Sequence, residues 1–228
     1  MASTASSAFV IRGRIPPPPT EAVAAFRALS PTTLCDILTR DAVMDHGIRP
    51  LWPGAPRVAG PAFTVRCPAG DNLMVHAAIH RAEPGDILVI QAGDEDFALA
   101  GGNVCAWAQR RGVAAFVADG VVRDLAEVRE RAFPVFARGV IPIPGAKEGP
   151  GEINGPVRCG GTAVQPGDIV VADEEGIVVV PRARAAEVLA KAQAKAAADA
   201  AEDLETWGRK HRERTEAILT RKGCAFPD

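Results

Sequence analysis

Between Pro84 and Gly139 the chain alternates short apolar runs with stretches of helical spacing, and this alternation restricts the fold more than any other feature. PGDILVIQA opens as a tight turn feeding a β-branched strand. AGGNVCAWAQRRG follows as a glycine-rich turn and a helix, then VAAFVADG as a strand. LAEVRERA reads as a short helix and FPVFARG as another strand. Strands that take turns with helices must bury their apolar faces against each other in layers, so the chain is expected to form an α/β layered domain.

The flanking segments extend this reading. The Pro-Gly-Asp turn returns as PGDIVVA at 166–172, and GIVVVP at 176–181 closes the core. Two copies are too few for a solenoid, so they are local turn chemistry used twice. AFTVRC at 62–67 reads as a strand, and GDNLMVHAAIHRA as a helix capped by Asp71 or Asn72. EAVAAFRAL is helical, and Ser30-Pro31 offers an N-cap and first-turn proline for a second helix through TTLCDILTR. Two stretches are expected to be loops: RPLWPGAPRVAGP, with four prolines, and residues 142–161, with six glycines and four prolines. The expected organisation is a flexible leader (1–20) whose PPPP run is a stiff spacer, an α/β catalytic domain (21–181) and a C-terminal helical arm (182–228). The arm is rich in alanine and charge, and so polar a segment is expected to pack on a neighbouring subunit.

Bulk properties exclude some functions. With a net charge of −2 and no basic stretch, nucleic acid is not an expected partner. No apolar run is long enough for a membrane span. Five widely spaced cysteines without a CxxC fit a reducing cytoplasm and inert thiols, not a zinc-thiolate site.

Candidate chemistry concentrates in DGVVRD, Asp119 to Asp124, where ligands of open α/β sheets bind. Arg123 can contact a carboxylate in bidentate fashion or polarise a carbonyl. Asp124 is a hard donor suited to Mg²⁺ or Mn²⁺. A plain ion pair between Arg123 and Glu127 is the competing reading. Gly101 and Gly102 precede a helix whose first amides would accept an anion. One cation, one carboxylate and one helix start suit a 2-oxo acid. His76 and His80, four apart, could ligate a transition metal or simply pack. Asp119 could orient the site or accept a backbone amide. Glu148, Glu152 and Asn154 are weaker candidates. Four of the five lysines lie in the C-terminal arm and none in an expected strand, which favours a metal over a Schiff base as the electron sink.

PAGDNLMVHAAI, PGDILVI, Gly102 twenty-one positions ahead of Arg123-Asp124, Glu127, and PGDIVVADEEGIVVVP follow one another across roughly residues 30–190. In them the chain resembles the class II 4-hydroxy-4-methyl-2-oxoglutarate / 4-carboxy-4-hydroxy-2-oxoadipate aldolases, which share the fold of the regulator of ribonuclease E activity A. The resemblance implies a β/β/α swivelling-domain fold and a trimer or hexamer with active sites between subunits. It implies Mg²⁺ or Mn²⁺ held by Asp124 largely through waters, and Arg123 on the pyruvyl group. It further implies that the amides at Gly101, Gly102, Asn103 and Val104 bind the pyruvate carboxylate, and that Asp199 approaches from a neighbour's arm. The implied activity is cleavage to pyruvate plus pyruvate or oxaloacetate, with oxaloacetate decarboxylation beside it. In one respect the chain departs from these aldolases: they carry an aspartate where Gly102 stands. A decarboxylase without aldolase activity and a non-catalytic ribonuclease regulator are the alternatives; Asp94, Glu95 and Asp96 are nearby acids that could replace the missing carboxylate.

Overall fold

The computed structural model describes residues 9–225. In chain order its elements are β1 (Phe9–Ile11), α1 (Thr20–Ala28), α2 (Pro31–Cys35), β2 (Arg49–Pro50), β3 (Val58–Arg66), α3 (Leu73–Ala78), β4 (Ile87–Gln91) and α4 (Gly102–Arg110). They continue with β5 (Ala115–Val122), α5 (Leu125–Glu130), β6 (Val135–Val140), β7 (Gly151–Ile153), β8 (Val157–Cys159), β9 (Thr162–Val164), β10 (Ile169–Asp173), β11 (Gly176–Val180), α6 (Ala185–Ala201) and α7 (Leu204–Arg221). The chain forms two compact units, one ending at Ala192 and one beginning at Gln193.

In the first unit the main sheet runs β1-β7-β3-β4-β5-β6-β2, with β3 to β6 mutually parallel. Alternation along the central strands sends neighbours to opposite faces. Leu88, Ile90, Phe116 and Ala118 pack with Val75 and Ala78 of α3, Cys105 and Ala108 of α4 and Val128 of α5. Ile87, Val89, Ala115 and Val117 pack instead with Val157, Val164, Val170 and Val179 from β8 to β11. The result is three layers: a β layer, the central sheet and a helical layer. Phe116 meets Phe133 edge-to-face at 5.1 Å, and both are essentially sealed from solvent.

Several expectations change. The strand expected over VAAFVADG runs two residues further: β5 continues to Val122, with a register shift between Ala118 and Val121 opposite β6. Asp119 holds that irregular stretch, taking Arg138 Nε at 2.5 Å and the Gly160 amide at 2.7 Å. The 142–161 segment is not one loop, since β7 and β8 lie within it and bury Ile153, Val157 and Cys159. β3 begins at Val58, inside the proline-rich segment. Its first half pairs antiparallel with β10 and its second half parallel with β4, and Pro61 sits at that change of partner. Gly60 is required there, since a Cβ would come within 2.2 Å of the Gly85 carbonyl oxygen. The second helix stops at Cys35. Phe9–Ile11, expected in a leader, form β1 on β7; residues 1–8 of that leader lie outside the described residues.

The second unit holds the end of α6 and all of α7. Asp203 caps α7, its Oδ1 accepting from Thr206 N at 2.9 Å, and Trp207 stacks on His211. Among the described residues no helix is long and apolar enough to cross a membrane.

Candidate functional site

The end of β5 delivers Arg123 and Asp124 to one spot. The Arg123 amide bonds to the Ala100 carbonyl at 2.9 Å, and the Leu99 amide to the Val121 carbonyl at 2.9 Å, so the segment before α4 is stitched to the strand end. Asp124 then takes a left-handed backbone, φ 60°, as it enters α5. Aspartate tolerates this region better than most residues because its side chain can bond locally. It does so here by capping the neighbouring helix: Asp124 Oδ2 accepts from the Gly102 amide at 2.9 Å. Arg123 Nε lies 3.5 Å from the same oxygen. Arg123 is thus paired with Asp124, and no Arg123–Glu127 ion pair forms.

The glycines ahead of α4 let these side chains lie on bare backbone. A Cβ at Gly101 would be 2.4 Å from Asp124 Oδ2 and 3.0 Å from Arg123 Nε. One at Gly102 would be 2.0 Å from Glu127 Oε2. The first intrahelical bond of α4 runs from Cys105 N to Gly101 O at 3.0 Å. The Asn103 and Val104 amides precede it and remain available to an anion.

These residues border a cavity of about 210 Å³. Gly101, Asn103, Val104, Arg123 and Asp124, all singled out from sequence, line it; Gly102 reaches it through its bond to Asp124. Asp199 lies in the second unit, where it pairs with Lys195 at 3.0 Å. Asp94 accepts from the Asp96 amide and Glu95 pairs with Arg138 at 3.3 Å; neither these three acids nor Glu127 line the cavity, but Glu127 alone of the four lies against Gly102 at its edge.

Three of the further lining residues are polar side chains that the sequence reading did not assign to this site. Asn72, 4% exposed, donates Nδ2 to the Ala98 carbonyl at 3.1 Å, while its buried Oδ1 has no partner. A buried acceptor left open in a cavity wall calls for a donor from a ligand or water. His76 lines the same cavity, and burial, then the Lys147 charge and His80, push its imidazole below its usual range toward the neutral form. It does not pair with His80 as a metal site, since His80 Nδ1 accepts from Trp107 Nε1 at 3.3 Å. Lys147 is the third, so one lysine does reach the site.

Asp71 fixes that lysine's loop. Its Oδ2 accepts from the Glu148 and Gly149 amides at 2.7 and 2.8 Å, and its Oδ1 from Leu73 N at 2.8 Å. Burial alone would raise the Asp71 carboxyl, but these three amides outweigh it and hold it below the usual range. Asp71, not Asn72, is therefore the side chain that caps α3. Of the weaker candidates, Glu152 is tied to Arg12 and Arg66, and Asn154 to the Gly13 carbonyl; both serve the sheet edge.

The sequence family described as RraA-like (Aldolase/RraA) matches residues 31–179. A Halalkalibacterium halodurans protein, named provisionally as a 4-hydroxy-4-methyl-2-oxoglutarate aldolase, is 40% identical over 78% of this chain and 85% of its own length. A Thermus thermophilus protein named 4-hydroxy-4-methyl-2-oxoglutarate aldolase is 36% identical over 56% of this chain and 78% of its own. Among solved structures, Streptomyces coelicolor RraAS2, titled an unusual member of the RNase ES inhibitor RraA family, superposes with a TM-score of 0.71. It is 31% identical and covers 87% of this chain and 98% of that one.

Proposed function

Because the chain belongs to the RraA-like aldolase family, we propose that it is a divalent-metal-dependent class II aldolase acting in a homo-oligomer, a trimer or hexamer. It cleaves 4-hydroxy-4-methyl-2-oxoglutarate or 4-carboxy-4-hydroxy-2-oxoadipate to pyruvate plus pyruvate or oxaloacetate, and decarboxylates oxaloacetate through the same pyruvate enolate. The observation that carries this reading is the meeting of Arg123, Lys147 and the first amides of α4 around one cavity that also holds Asp124. That set matches the charges of a 2-oxo acid.

The substrate carboxylate binds at the Asn103 and Val104 amides, where the helix start favours negative charge. Arg123 faces the 2-oxo oxygen and stabilises it as charge develops there. Lys147 is solvent-exposed, not enclosed in an apolar pocket, so it serves as a cation toward the distal carboxylate instead of as a Schiff-base amine. The open Asn72 Oδ1, in the wall of the same cavity, accepts from an ordered water.

Asp124 fits a divalent ion: Oδ2 is anchored on Gly102, and Oδ1 carries no hydrogen bond or ion pair among the described residues. Among the described residues no three His, Cys, Asp or Glu side chains gather to hold a metal. The donor set therefore suits Mg²⁺ or Mn²⁺, which keep several waters. Bound there, such an ion supplies Lewis-acid stabilisation of the enolate. Asp199 of a neighbouring copy would complete the site.

The test is pyruvate release from both substrates with Mg²⁺ or Mn²⁺ and then with EDTA, for the wild type and Arg123→Ala. EDTA-sensitive turnover that falls at least about 100-fold in the variant is expected. Unchanged turnover would remove Arg123 from the mechanism. No turnover of either substrate would favour a binding role, the second reading, which the likeness to a ribonuclease-inhibitor family member supports.

A further inference from the structure

Aldol cleavage needs something that decarboxylation does not, namely an acceptor for the proton of the C4 hydroxyl. Asp124 is already engaged by the Gly102 amide and Arg123. Position 102 itself carries no side chain. The structure nevertheless puts a carboxylate there. A Cβ built on Gly102 would lie 2.0 Å from Oε2, 2.9 Å from Cδ and 3.2 Å from Cβ of Glu127. Glu127 projects from the first turn of α5 and lies along Gly102, its head where a residue-102 side chain would begin. Among the described residues it enters no ion pair, so the carboxylate is not committed elsewhere.

We propose that Glu127 is the catalytic carboxylate of the cleavage step, occupying the space that Gly102 leaves open. This rests on the enolate site proposed above. The C4 hydroxyl proton passes to Glu127 Oε2, and the O–H electron pair becomes the C4 carbonyl. The C3–C4 bond breaks, and its pair forms the C2–C3 double bond of the pyruvate enolate. Glu127 returns the proton to C3, which gives the methyl group of pyruvate and regenerates the carboxylate. Gly102 and Glu127 act as a pair. Any side chain at 102 pushes the carboxylate aside, and because the end of a glutamate is flexible this moves the group without unfolding the helix start.

Three variants test the assignment, each read for cleavage of 4-hydroxy-4-methyl-2-oxoglutarate, decarboxylation of oxaloacetate, pH profile and thermal midpoint. Glu127→Gln should lower kcat for cleavage at least about 100-fold and keep decarboxylation within about threefold. Gly102→Ala should give the same split with Glu127 intact and the midpoint nearly unchanged. Gly102→Asp combined with Glu127→Ala should regain part of the cleavage rate, since a carboxylate again stands in that space.

Wild-type cleavage by Glu127→Gln would overturn the proposal. So would a parallel fall of both reactions together with the midpoint, which would make Glu127 a structural residue. Loss of cleavage in His76→Gln with Glu127→Gln unaffected would move the role to the imidazole. A wild type that decarboxylates but does not cleave would overturn the Glu127 assignment and leave the enolate site standing. A wild type that does neither would sink the enolate site itself.

Discussion

Asp71 is the residue on which the loop half of the site depends. Asp71→Asn sets an amide N–H against backbone N–H donors, so at least one of its three bonds is lost and another is repelled. About 2 kcal/mol of stability should go at neutral pH, by analogy with buried charge-assisted bonds. The carboxyl is held below its ordinary value of 3.8. Its contribution is therefore complete above that value and disappears as the pH falls through the lower, folded-state value. Urea midpoints of wild type and variant should differ at pH 7 and draw together as the pH is taken down below 3.8; a gap that persisted at the acid extreme would assign the effect to shape instead of charge. The variant should also raise KM, because Lys147 is carried by the loop that Asp71 clamps. None of this was legible locally. Arg123, Asp124, Gly101, Asn103 and Val104 could be read because they lie within a turn of a strand end or a helix start. Lys147 could not, because it meets Asn72 and His76 at the start of α3 only when Asp71 bonds to amides at 148 and 149, and no periodicity encodes that meeting.

At the level of elements, the strands that could be read are β4, β5, β10 and β11, with strong β-branched runs, together with β6 and the second half of β3. Those that were missed, β1, β2, β7, β8 and β9, have three residues or fewer, and in β7 and β8 the flanking glycine and proline mask alternation such as that of Val157, Arg158 and Cys159. The helices were placed correctly but drawn too long, since propensity continues where burial stops. β1 has only three residues, and nothing in its composition reveals a partner. Past its end, Arg14 Nη2 donates to Asp86 Oδ1 at 2.7 Å, and Asp86 is 1% exposed. Arg14→Ala would leave that carboxylate buried without its cation, at a cost of about 3 kcal/mol. Glu83→Ala, which removes an exposed partner of the same arginine, should cost under about 1 kcal/mol. Equal midpoint shifts in denaturant for the two variants would contradict this account of the N-terminal segment.

For the whole molecule, both apolar clusters lie within the unit that ends at Ala192. A chain truncated after Ala192 should thus keep a cooperative melt, within about 3 °C of the full chain. If the arm of a neighbour completes the site, the truncated chain should lose pyruvate release, and light scattering should report a smaller assembly. Full activity in the truncated chain would take Asp199 and the arm out of the mechanism. The sheet order has a consequence for how the protein is made. Phe9 pairs with Gly151, so β1 has no partner until most of the first unit has been translated. Through that interval the early residues wait as an unpaired edge, and β3 waits for both β4 and β10. β1 is made well before the strand it docks on, so the nascent chain closes this sheet by returning to a segment it left far behind.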